Sequence, residues 1–232
     1  MQHYHVIIPA AGKGTRMNRA YNKLFIELEG APLLAHTLNV FQSDDACQAI
    51  HLAIHPRDFE HMNALCKKFD KVTTLIEGGD TRQESIHCVL RAIDVKQDDV
   101  ILVHDGARPF VSHHTIHKLI DIIQSQGAAV VGVKAKDTIK VVENDAVAQT
   151  LERTKLWQIQ TPQGATYQTL FNAYTVAQQE KFEGTDDGSL LEYAGNAVHV
   201  VEGEYENIKM TTEEDLWIGR AFLNKRSNEN HV

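Results

Sequence analysis

Short apolar runs alternate with segments of helical period through the first 135 residues of the chain. The runs predict β-strands over residues 4–9, 48–54, 72–76, 100–104 and 128–134. Between them, apolar positions three and four residues apart predict α-helices over residues 32–42, 57–68, 82–93 and 112–125. This alternation is typical of a parallel sheet that is covered on both faces. We therefore expect a Rossmann-like, three-layer α/β fold with a mostly parallel sheet and helices on both faces.

The alternation breaks after residue 135, where two short apolar strands flank the polar turn Glu143-Asn144-Asp145 with no helix between them. This pattern predicts a protruding β-hairpin arm over about residues 136–160. A two-stranded ribbon is marginally stable alone in water, so we expect the arm to pack on a second copy of the chain in a homodimer. Beyond the arm the pattern predicts helices over 166–180 and 186–194, a strand over 198–202 and a C-terminal helix opening at residues 211–214.

The composition favours one domain that binds a small molecule. With 232 residues, 43% of them hydrophobic, the chain can bury a sizeable core, and we expect a single domain over residues 1–232. The formal net charge of −8, with acidic and basic residues mixed along the chain, argues against a nucleic-acid partner. The sequence shows neither a signal peptide nor an apolar stretch of membrane-helix length, so we expect a cytoplasmic protein with no membrane partner.

The stretch PAAGKGTRM, residues 9–17, follows the first predicted strand. Its glycines allow close approach of the backbone to a ligand, and backbone N–H groups beside basic side chains are typical of phosphate sites. A dinucleotide fingerprint would need a third glycine where Met17 stands, and a P-loop would need a longer gap before its lysine. Lys13, Arg16 and Lys23 together carry enough positive charge for a triphosphate. The alternative is a solvated basic loop.

Two further loops at predicted strand ends carry polar and charged residues, EGGDTRQES at residues 77–85 and HDGARPF at residues 104–110. Asp105 suits a hydrated magnesium ion or a substrate hydroxyl, and Arg108 suits a second phosphate. The alternatives are an ordinary strand-to-helix turn for the first loop and an internal salt bridge for the second. Ligands of open α/β sheets bind beyond the carboxyl ends of the strands, so three such loops predict a site at this edge.

Three histidines, His113, His114 and His117, raise the question of a zinc site, because the outer pair lies four residues apart on a predicted helix. Ser112 is well placed as the N-cap of that helix, and no nearby glutamate completes a metallohydrolase motif. We interpret the segment as a helix start and expect no zinc there.

The chain contains PAAGKGTRM with NKLF, GGDTRQES, VHDGARPF, KDTIK, TPQ, GTDDGSLLE and VEGEYENIKMTTEEDL, in this order and over nearly its whole length. Together these blocks resemble the 2-C-methyl-D-erythritol 4-phosphate cytidylyltransferase family of the non-mevalonate isoprenoid pathway. The first block alone is common to many nucleotidyltransferases, whereas the full set is far more specific. Ribitol-5-phosphate cytidylyltransferase is the related alternative, and the PAAG, HDGARP and TDDGSLLE sequences favour the methylerythritol family.

The resemblance implies transfer of CMP from CTP to 2-C-methyl-D-erythritol 4-phosphate, with release of pyrophosphate and with Mg²⁺ bound mainly through the CTP phosphates. A phosphate monoester is mostly dianionic at neutral pH, so the attacking group needs no general base. This fits the lack of a Ser-His or Cys-His pair in the three loops. A non-catalytic nucleotide-binding module is a competing interpretation, and the failed fingerprint argues against a hydride-transfer enzyme.

The resemblance also implies roles for single residues. The residues expected to bind CTP are Ala10, Ala11, Gly12, Gly14, Gly78, Asp80, Ser85 and Gly106. The expected catalytic residues are Arg16, Lys23, Asp105 and Lys209, with Asp105 also a metal ligand. The residues expected to bind the sugar-alcohol phosphate are Arg108, Thr138, Arg153, Thr161 and Thr185, with Thr138 and Arg153 reaching the neighbouring subunit's site from the arm. Asn22 precedes Lys23 where many relatives have proline, and we expect it to loosen this loop.

Overall fold

Within the residues that the computed structural model describes, 3–12 and 22–229, a seven-stranded sheet carries seven α-helices. The strands are β1 (Tyr4–Ala10), β2 (Glu27–Leu28), β3 (Ala31–Pro32), β4 (Cys47–Ile54), β5 (Val72–Glu77), β6 (Val100–Val103), β7 (Ala128–Lys134), β8 (Lys140–Glu143), β9 (Ala146–Thr150), β10 (Trp157–Thr166) and β11 (His199–Glu202). The helices are α1 (Leu33–Gln42), α2 (Phe59–Cys66), α3 (Arg82–Ala92), α4 (His113–Gln126), α5 (Tyr167–Glu180), α6 (Asp187–Tyr193) and α7 (Glu213–Glu229).

Successive residues of the central strands are buried on opposite faces of the main sheet. In β1, Val6 and Ile8 belong to the core under α1, α2, α4 and α7, whereas Ile7 belongs to the core under α3, α5 and α6. Because side chains alternate along a strand, a strand that is apolar at every position must be covered on both faces. The predicted three-layer α/β arrangement is therefore confirmed.

The main sheet has the strand order β11-β7-β10-β6-β1-β4-β5. The β1 strand pairs in parallel with β4 and β6, β4 pairs in parallel with β5, and β7 pairs in parallel with β11. Only β10 runs antiparallel to its two neighbours, β6 and β7. The carboxyl ends of β1, β4, β5 and β6 consequently meet at one edge, where three of the loops singled out in the sequence begin.

The hairpin arm is present but shorter than predicted. Its strands β8 and β9 pair in a separate antiparallel sheet, joined by Asn144 and Asp145 with φ of +49° and +63°, as a two-residue hairpin turn requires. The range 136–160 was too long, because residues 157–160 belong to β10. That strand was missed since Pro162 and the buried, hydrogen-bonded glutamines Gln160 and Gln163 interrupt its apolar pattern.

Most other predicted elements lie within a few residues of their observed bounds. Ser112 caps α4 by accepting from the Thr115 N–H, and Gly127 ends that helix at φ +94°. The predicted start of the second helix was early, because residues 56–58 form a 3₁₀ turn before α2 begins. The small β2–β3 ribbon was not predicted. In the described ranges, no helix is long and apolar enough to cross a membrane.

Candidate active site

A cleft of about 670 Å³ opens at the carboxyl edge of β1, β4, β5 and β6. This is where open α/β sheets bind their ligands. The predicted site residues that line it are Ala10, Ala11, Gly12, Lys23, Gly78, Asp80, Ser85, Asp105, Gly106 and Lys209. The three loops singled out in the sequence therefore converge on one cavity. Gly14 and Arg16 lie outside the described residues, and their roles stay predictions.

Asn22 fixes the start of the segment that carries Lys23. It is 2% exposed, and its Nδ2 donates to the Ala10 carbonyl at 2.8 Å and to the Asp58 carboxylate at 3.1 Å. Its Oδ1 accepts from the Leu24 N–H at 3.1 Å, which caps a single 3₁₀ turn over residues 23–25. The expectation that Asn22 loosens this loop is wrong, because its amide donates and accepts at the same time and ties the turn to β1.

The glycine loop after β5 packs directly against the loop after β1. A Cβ added at Gly78 would lie 2.6 Å from the Ala11 Cβ and 2.7 Å from the Ser85 Oγ, so only glycine fits there. The Ser85 hydroxyl donates to the Thr81 carbonyl at 2.8 Å. Close contact between the two loops brings Ala11, Gly78 and Ser85 together in the lining of the cleft.

The N-terminus of α3 is held by a reciprocal cap. Thr81 accepts from the Glu84 N–H at 3.0 Å, and the Glu84 carboxylate accepts from the Thr81 N–H at 3.1 Å. The same carboxylate accepts from the Asp80 N–H at 2.8 Å, while the Asp80 side chain stays exposed at the rim of the cleft. Asp80 is thus presented on a rigid helix start.

Asp105 is surrounded by three cations. One carboxylate oxygen lies 2.9 Å from Lys209 Nζ and 3.5 Å from Arg108 Nε, and the other lies 3.4 Å from Arg82 Nε. Burial on its own would raise the pKa of the Asp105 carboxyl, but these cations outweigh it and hold that pKa well below its ordinary range. The carboxylate is therefore ionised at any pH at which the protein would work.

Arg82 was quoted in the sequence motif without a role, yet it links two parts of the site. Its Nη1 and Nη2 donate to the two oxygens of Asp187 at 3.0 and 2.7 Å, and the Tyr174 hydroxyl donates to the same buried carboxylate. A cation at the first position of a helix opposes the helix dipole, and that was the available signal that Arg82 has a carboxylate partner. Arg82 is thus held by Asp187 while its Nε faces Asp105.

The segment before α7 brings Lys209 to the cleft. The Met210 N–H donates to the Ala107 carbonyl at 2.8 Å, and Arg108 Nη1 donates to the Asn207 carbonyl at 2.7 Å. Sequence reasoning missed Asn207, which is fully buried. These contacts join the loop after β6 to the segment before α7.

Thr161 lies beneath Asp105 and is 4% exposed. Its Oγ1 accepts from the Asp105 N–H at 3.0 Å and lies 3.2 Å from His104 Nδ1. Burial lowers the pKa of His104 to about 4, so its imidazole is neutral near pH 7. The described structure does not bring Thr161 into the lining of the cleft, and its contact with the sugar-alcohol phosphate stays a prediction.

Of the remaining predicted substrate residues, Arg108 is partly buried beside Asp105, whereas Thr138, Arg153 and Thr185 are exposed, and none of the four lines the cleft of its own chain in the described structure. Thr138 and Arg153 lie at the base of the arm, where Arg153 Nη1 donates to the Lys136 carbonyl at 2.8 Å. Thr185 lies beside Asp186, the N-cap of α6. The predicted role of Thr138 and Arg153 depends on a second copy of the chain, and the role of Thr185 in its own chain's site stays a prediction.

The donor set fits a magnesium ion that arrives with a nucleotide. Across the described part of the chain, no three His, Cys, Asp or Glu side chains cluster as a metal site. Asp105 supplies one buried, ionised carboxylate to the cleft, and Lys209 Nζ lies 2.9 Å from it. Mg²⁺ is commonly held by one or two carboxylates together with substrate phosphates, which is the kind of site these residues can offer.

Comparison with known proteins agrees with this geometry. A sequence profile of the family described as 2-C-methyl-D-erythritol 4-phosphate cytidylyltransferase, IspD, matches residues 4–225. The protein of that name from Bacillus licheniformis is 44% identical over 231 residues, which cover 99% of each chain. The one from Lysinibacillus sphaericus is 45% identical over 226 residues, which cover 97% of each chain.

Solved structures lead to the same family. The 4-diphosphocytidyl-2C-methyl-D-erythritol synthase of Anaerococcus prevotii matches with a TM-score of 0.84 at 32% identity, covering 96% of both chains. The 2-C-methyl-D-erythritol 4-phosphate cytidylyltransferase of Francisella tularensis matches with a TM-score of 0.81 at 34% identity, covering 94% of this chain and 98% of that one. The resemblance carried by the sequence blocks is confirmed, and the chain belongs to the 2-C-methyl-D-erythritol 4-phosphate cytidylyltransferase family.

Proposed function

We propose that the protein transfers CMP from CTP to the phosphate of 2-C-methyl-D-erythritol 4-phosphate and releases pyrophosphate, a step of isoprenoid precursor synthesis. The observation that carries this proposal is the cleft itself, in which two glycine-containing loops, Lys23 and Lys209 meet the ionised Asp105. Small residues suit the close approach of a nucleotide, and the lysines suit its phosphates. The names of the relatives support the choice of substrates.

An oxygen of the acceptor phosphate attacks the α-phosphorus of CTP, the bond from that phosphorus to the β-phosphate oxygen breaks, and pyrophosphate leaves. The acceptor phosphate has a second pKa of about 6 and needs no base to activate it. The chemical difficulty is the approach of two anions and the charge that develops at the α-phosphate. Lys23, together with Arg16, stabilises that charge, and the backbone of residues 10–12 cradles the triphosphate.

The other side chains bind and orient the two substrates. Gly78, Asp80 and Ser85 contact cytosine and ribose. Lys209 and Arg108 attract the acceptor phosphate, and the ionised Asp105 accepts a hydrogen bond from an acceptor hydroxyl. The pairing of Asp105 with three cations supports this, because the carboxylate keeps its charge while the surrounding field stays positive.

We propose Mg²⁺ as the cofactor, with Asp105 as the residue that holds the ion or one of its waters. When bound, the ion neutralises triphosphate charge and stabilises the leaving pyrophosphate. Asp105, whose carboxylate lies 2.9 Å from Lys209 Nζ, would hold the ion, and the Lys209 ammonium would bind the acceptor phosphate.

We also propose that residues 1–232 form one catalytic domain that works as a cytoplasmic homodimer. The support is the fully exposed arm, in which Val142 and Val147 are 57% and 61% exposed. A second copy would cover these valines and receive Thr138 and Arg153 beside its own Thr161 and Thr185.

Pyrophosphate release from CTP tests the proposed reaction. We expect rapid release with 2-C-methyl-D-erythritol 4-phosphate, slower release with D-ribitol 5-phosphate, and none without an acceptor or with a chelator present. Faster release with D-ribitol 5-phosphate would show that it is the preferred acceptor, and the proposed transfer of CMP would stand. Nucleotide binding without pyrophosphate release for either acceptor would show that the protein is a binding module. Full activity in the presence of a chelator would show that the reaction needs no metal ion.

A further inference from the structure

His104 takes no part in the mechanism above, although it adjoins Asp105. It follows β6, is fully buried, and its backbone N–H donates to the Ile7 carbonyl at 2.9 Å. Its ring packs edge-on against Phe41, with ring centroids 5.1 Å apart. Packing and the backbone bond together fix the orientation of the imidazole.

The partners of His104 determine where its proton lies. Nε2 lies 2.9 Å from the Arg108 carbonyl oxygen, which can only accept, so Nε2 carries the proton. The other ring nitrogen, Nδ1, lies 3.2 Å from Thr161 Oγ1, and it is the acceptor toward which the Thr161 hydroxyl can donate. The same Oγ1 accepts from the Asp105 N–H at 3.0 Å. A directed chain of hydrogen bonds thus runs from Asp105 through Thr161 and His104 to Arg108.

These hydrogen bonds hold both ends of a four-residue loop. Asp105 stands at one end and Arg108 at the other, and the Arg108 N–H also donates to the Asp105 carbonyl at 3.0 Å. Asp105 lines the cleft, and Arg108 Nε lies 3.5 Å from its carboxylate. Their separation is therefore set by buried neutral groups before any substrate binds.

We propose that His104 and Thr161 are positioning residues that hold the Asp105 carboxylate and the Arg108 guanidinium in register for the reaction. This deepens the proposed function and rests on it. It gives Thr161 a positioning role in addition to the substrate contact that the family resemblance implies. The hydroxyl of Thr161 donates its single proton to His104, accepts from Asp105, and lies almost out of reach of solvent.

Kinetics of Thr161→Val and Thr161→Ser test the role of the hydroxyl. Valine keeps the shape and leaves the Asp105 N–H and His104 Nδ1 without their partner, so kcat should fall about 10-fold or more while KM for the acceptor changes less than about 3-fold. Serine keeps the hydroxyl and should recover most of kcat. A large rise in KM for the acceptor with kcat intact would show a direct substrate contact and overturn the proposal.

A double-mutant cycle tests whether the two residues act together. His104→Gln keeps a donor for the Arg108 carbonyl and loses the acceptor for Thr161, so it breaks the same link as Thr161→Val. The double variant should lose no more than about 2-fold beyond the worse single variant. If the falls in kcat of the two single variants multiplied in the double variant, the two residues would act independently and the proposal would be overturned. His51→Gln, a matched loss of a buried histidine that does not line the cleft, should leave kcat unchanged.

A measurement that needs no turnover separates this proposal from the proposed reaction. In ¹⁵N spectra at pH 7, His104, assigned by its loss in His104→Gln, should show a neutral ring protonated at Nε2. Its Nδ1 signal should move toward that of an unbonded acceptor in Thr161→Val. A ring protonated at Nδ1, or an unchanged Nδ1 signal, would overturn the proposal even if the wild-type protein releases pyrophosphate.

Discussion

The loop after β6 and the hairpin arm both carry residues predicted to bind the acceptor, and they are built in opposite ways. Asp105 is 7% exposed and fixed by cations and by a buried neutral chain, all within one copy of the molecule. In the arm, every residue of β8 and β9 is exposed, including three valines. The cleft thus derives its order from its own core, whereas the arm must derive its order from contact with something else.

This contrast predicts how damage in each region behaves. A substitution in the cleft should disable the site of the same chain. A substitution at the base of the arm should disable the site of the partner. The experiments below use that difference, beginning with the largest expected effect.

Complementation between two inactive variants gives the largest change. Lys23→Ala and Arg153→Ala should each be nearly inactive as pure homodimers, because one lacks the cleft lysine and the other the arm arginine. After mixing, dissociation and reassembly, about half of the dimers are hybrids, each with one intact site, so activity should rise to about a quarter of wild type. Pyrophosphate release before and after mixing measures this.

The control is a mixture of each variant with itself, taken through the same dissociation. Native mass spectrometry must show the hybrid dimers. If hybrids form and the mixture stays inactive, the arm serves its own chain, and the contrast between the two regions fails.

The role of Lys23 inside the cleft is the next largest effect. If it stabilises charge that develops at the α-phosphate, Lys23→Ala should lower kcat about 10²-fold, or about 2.7 kcal/mol, with a smaller change in KM for CTP. Steady-state kinetics measure both constants. Lys118→Ala removes an equal charge from an exposed position on α4 and serves as the control. A large rise in KM for CTP with kcat intact would show that Lys23 binds CTP in the ground state and does not stabilise the transition state.

The core around the cleft and the arm should differ in how their stability depends on pH. Burial lowers the pKa of His104 to about 4, and burial together with the neighbouring His5 lowers the pKa of His51 to about 4. The unfolded chain binds these protons near the ordinary pKa of 6.5, so stability present above that pH is lost as pH falls toward 4. At pH 5 each residue should cost about 2 kcal/mol. The arm, residues 140–150, contains no histidine.

Denaturant unfolding at pH 7 and pH 5 measures this loss. His51→Gln should remove about 2 kcal/mol of the stability loss between pH 7 and pH 5, whatever its effect at pH 7. An equal pH dependence in that variant would show that other groups cause the acid sensitivity.

The main sheet could be predicted from sequence because its strands are apolar on both faces. Val6, Ile7 and Ile8 are all buried, so β1 stands out as a continuous apolar run. In β10 the buried residues Gln160 and Gln163 are polar and satisfied by partners distant in sequence, such as Glu204 for Gln160. A buried amide of this kind looks like a surface residue until its partner is known.

The same distinction between local patterns and distant partners applies to the candidate site. The three loops could be predicted because each follows a recognisable strand, and that alone places them at one edge. The pairing of Arg82 with Asp187 joins residues 105 positions apart, and no local pattern identifies such a partner. The role of Asn22 was predicted wrongly because it depends on a hydrogen bond to Asp58, which lies 36 positions away in the sequence.

Asn22 gives the smallest predicted effect and tests whether order within the cleft is local. Asn22→Ala removes three hydrogen bonds, to Ala10, Asp58 and Leu24, and leaves buried groups without partners, which should cost roughly 1 to 3 kcal/mol of stability. Because the turn that carries Lys23 loses its anchor, kcat should fall about 10-fold while the dimer stays intact.

Asn22→Asp sharpens the argument, since it keeps the acceptor for the Leu24 N–H but sets a second carboxylate against Asp58. It should therefore lower kcat at least as much as alanine does. Asn39→Ala, at an exposed position of α1, controls for the loss of an asparagine and should leave both quantities unchanged. If Asn22→Ala lost stability with kcat unaltered, Asn22 would support the fold without positioning Lys23, and the order of the cleft would not depend on this anchor.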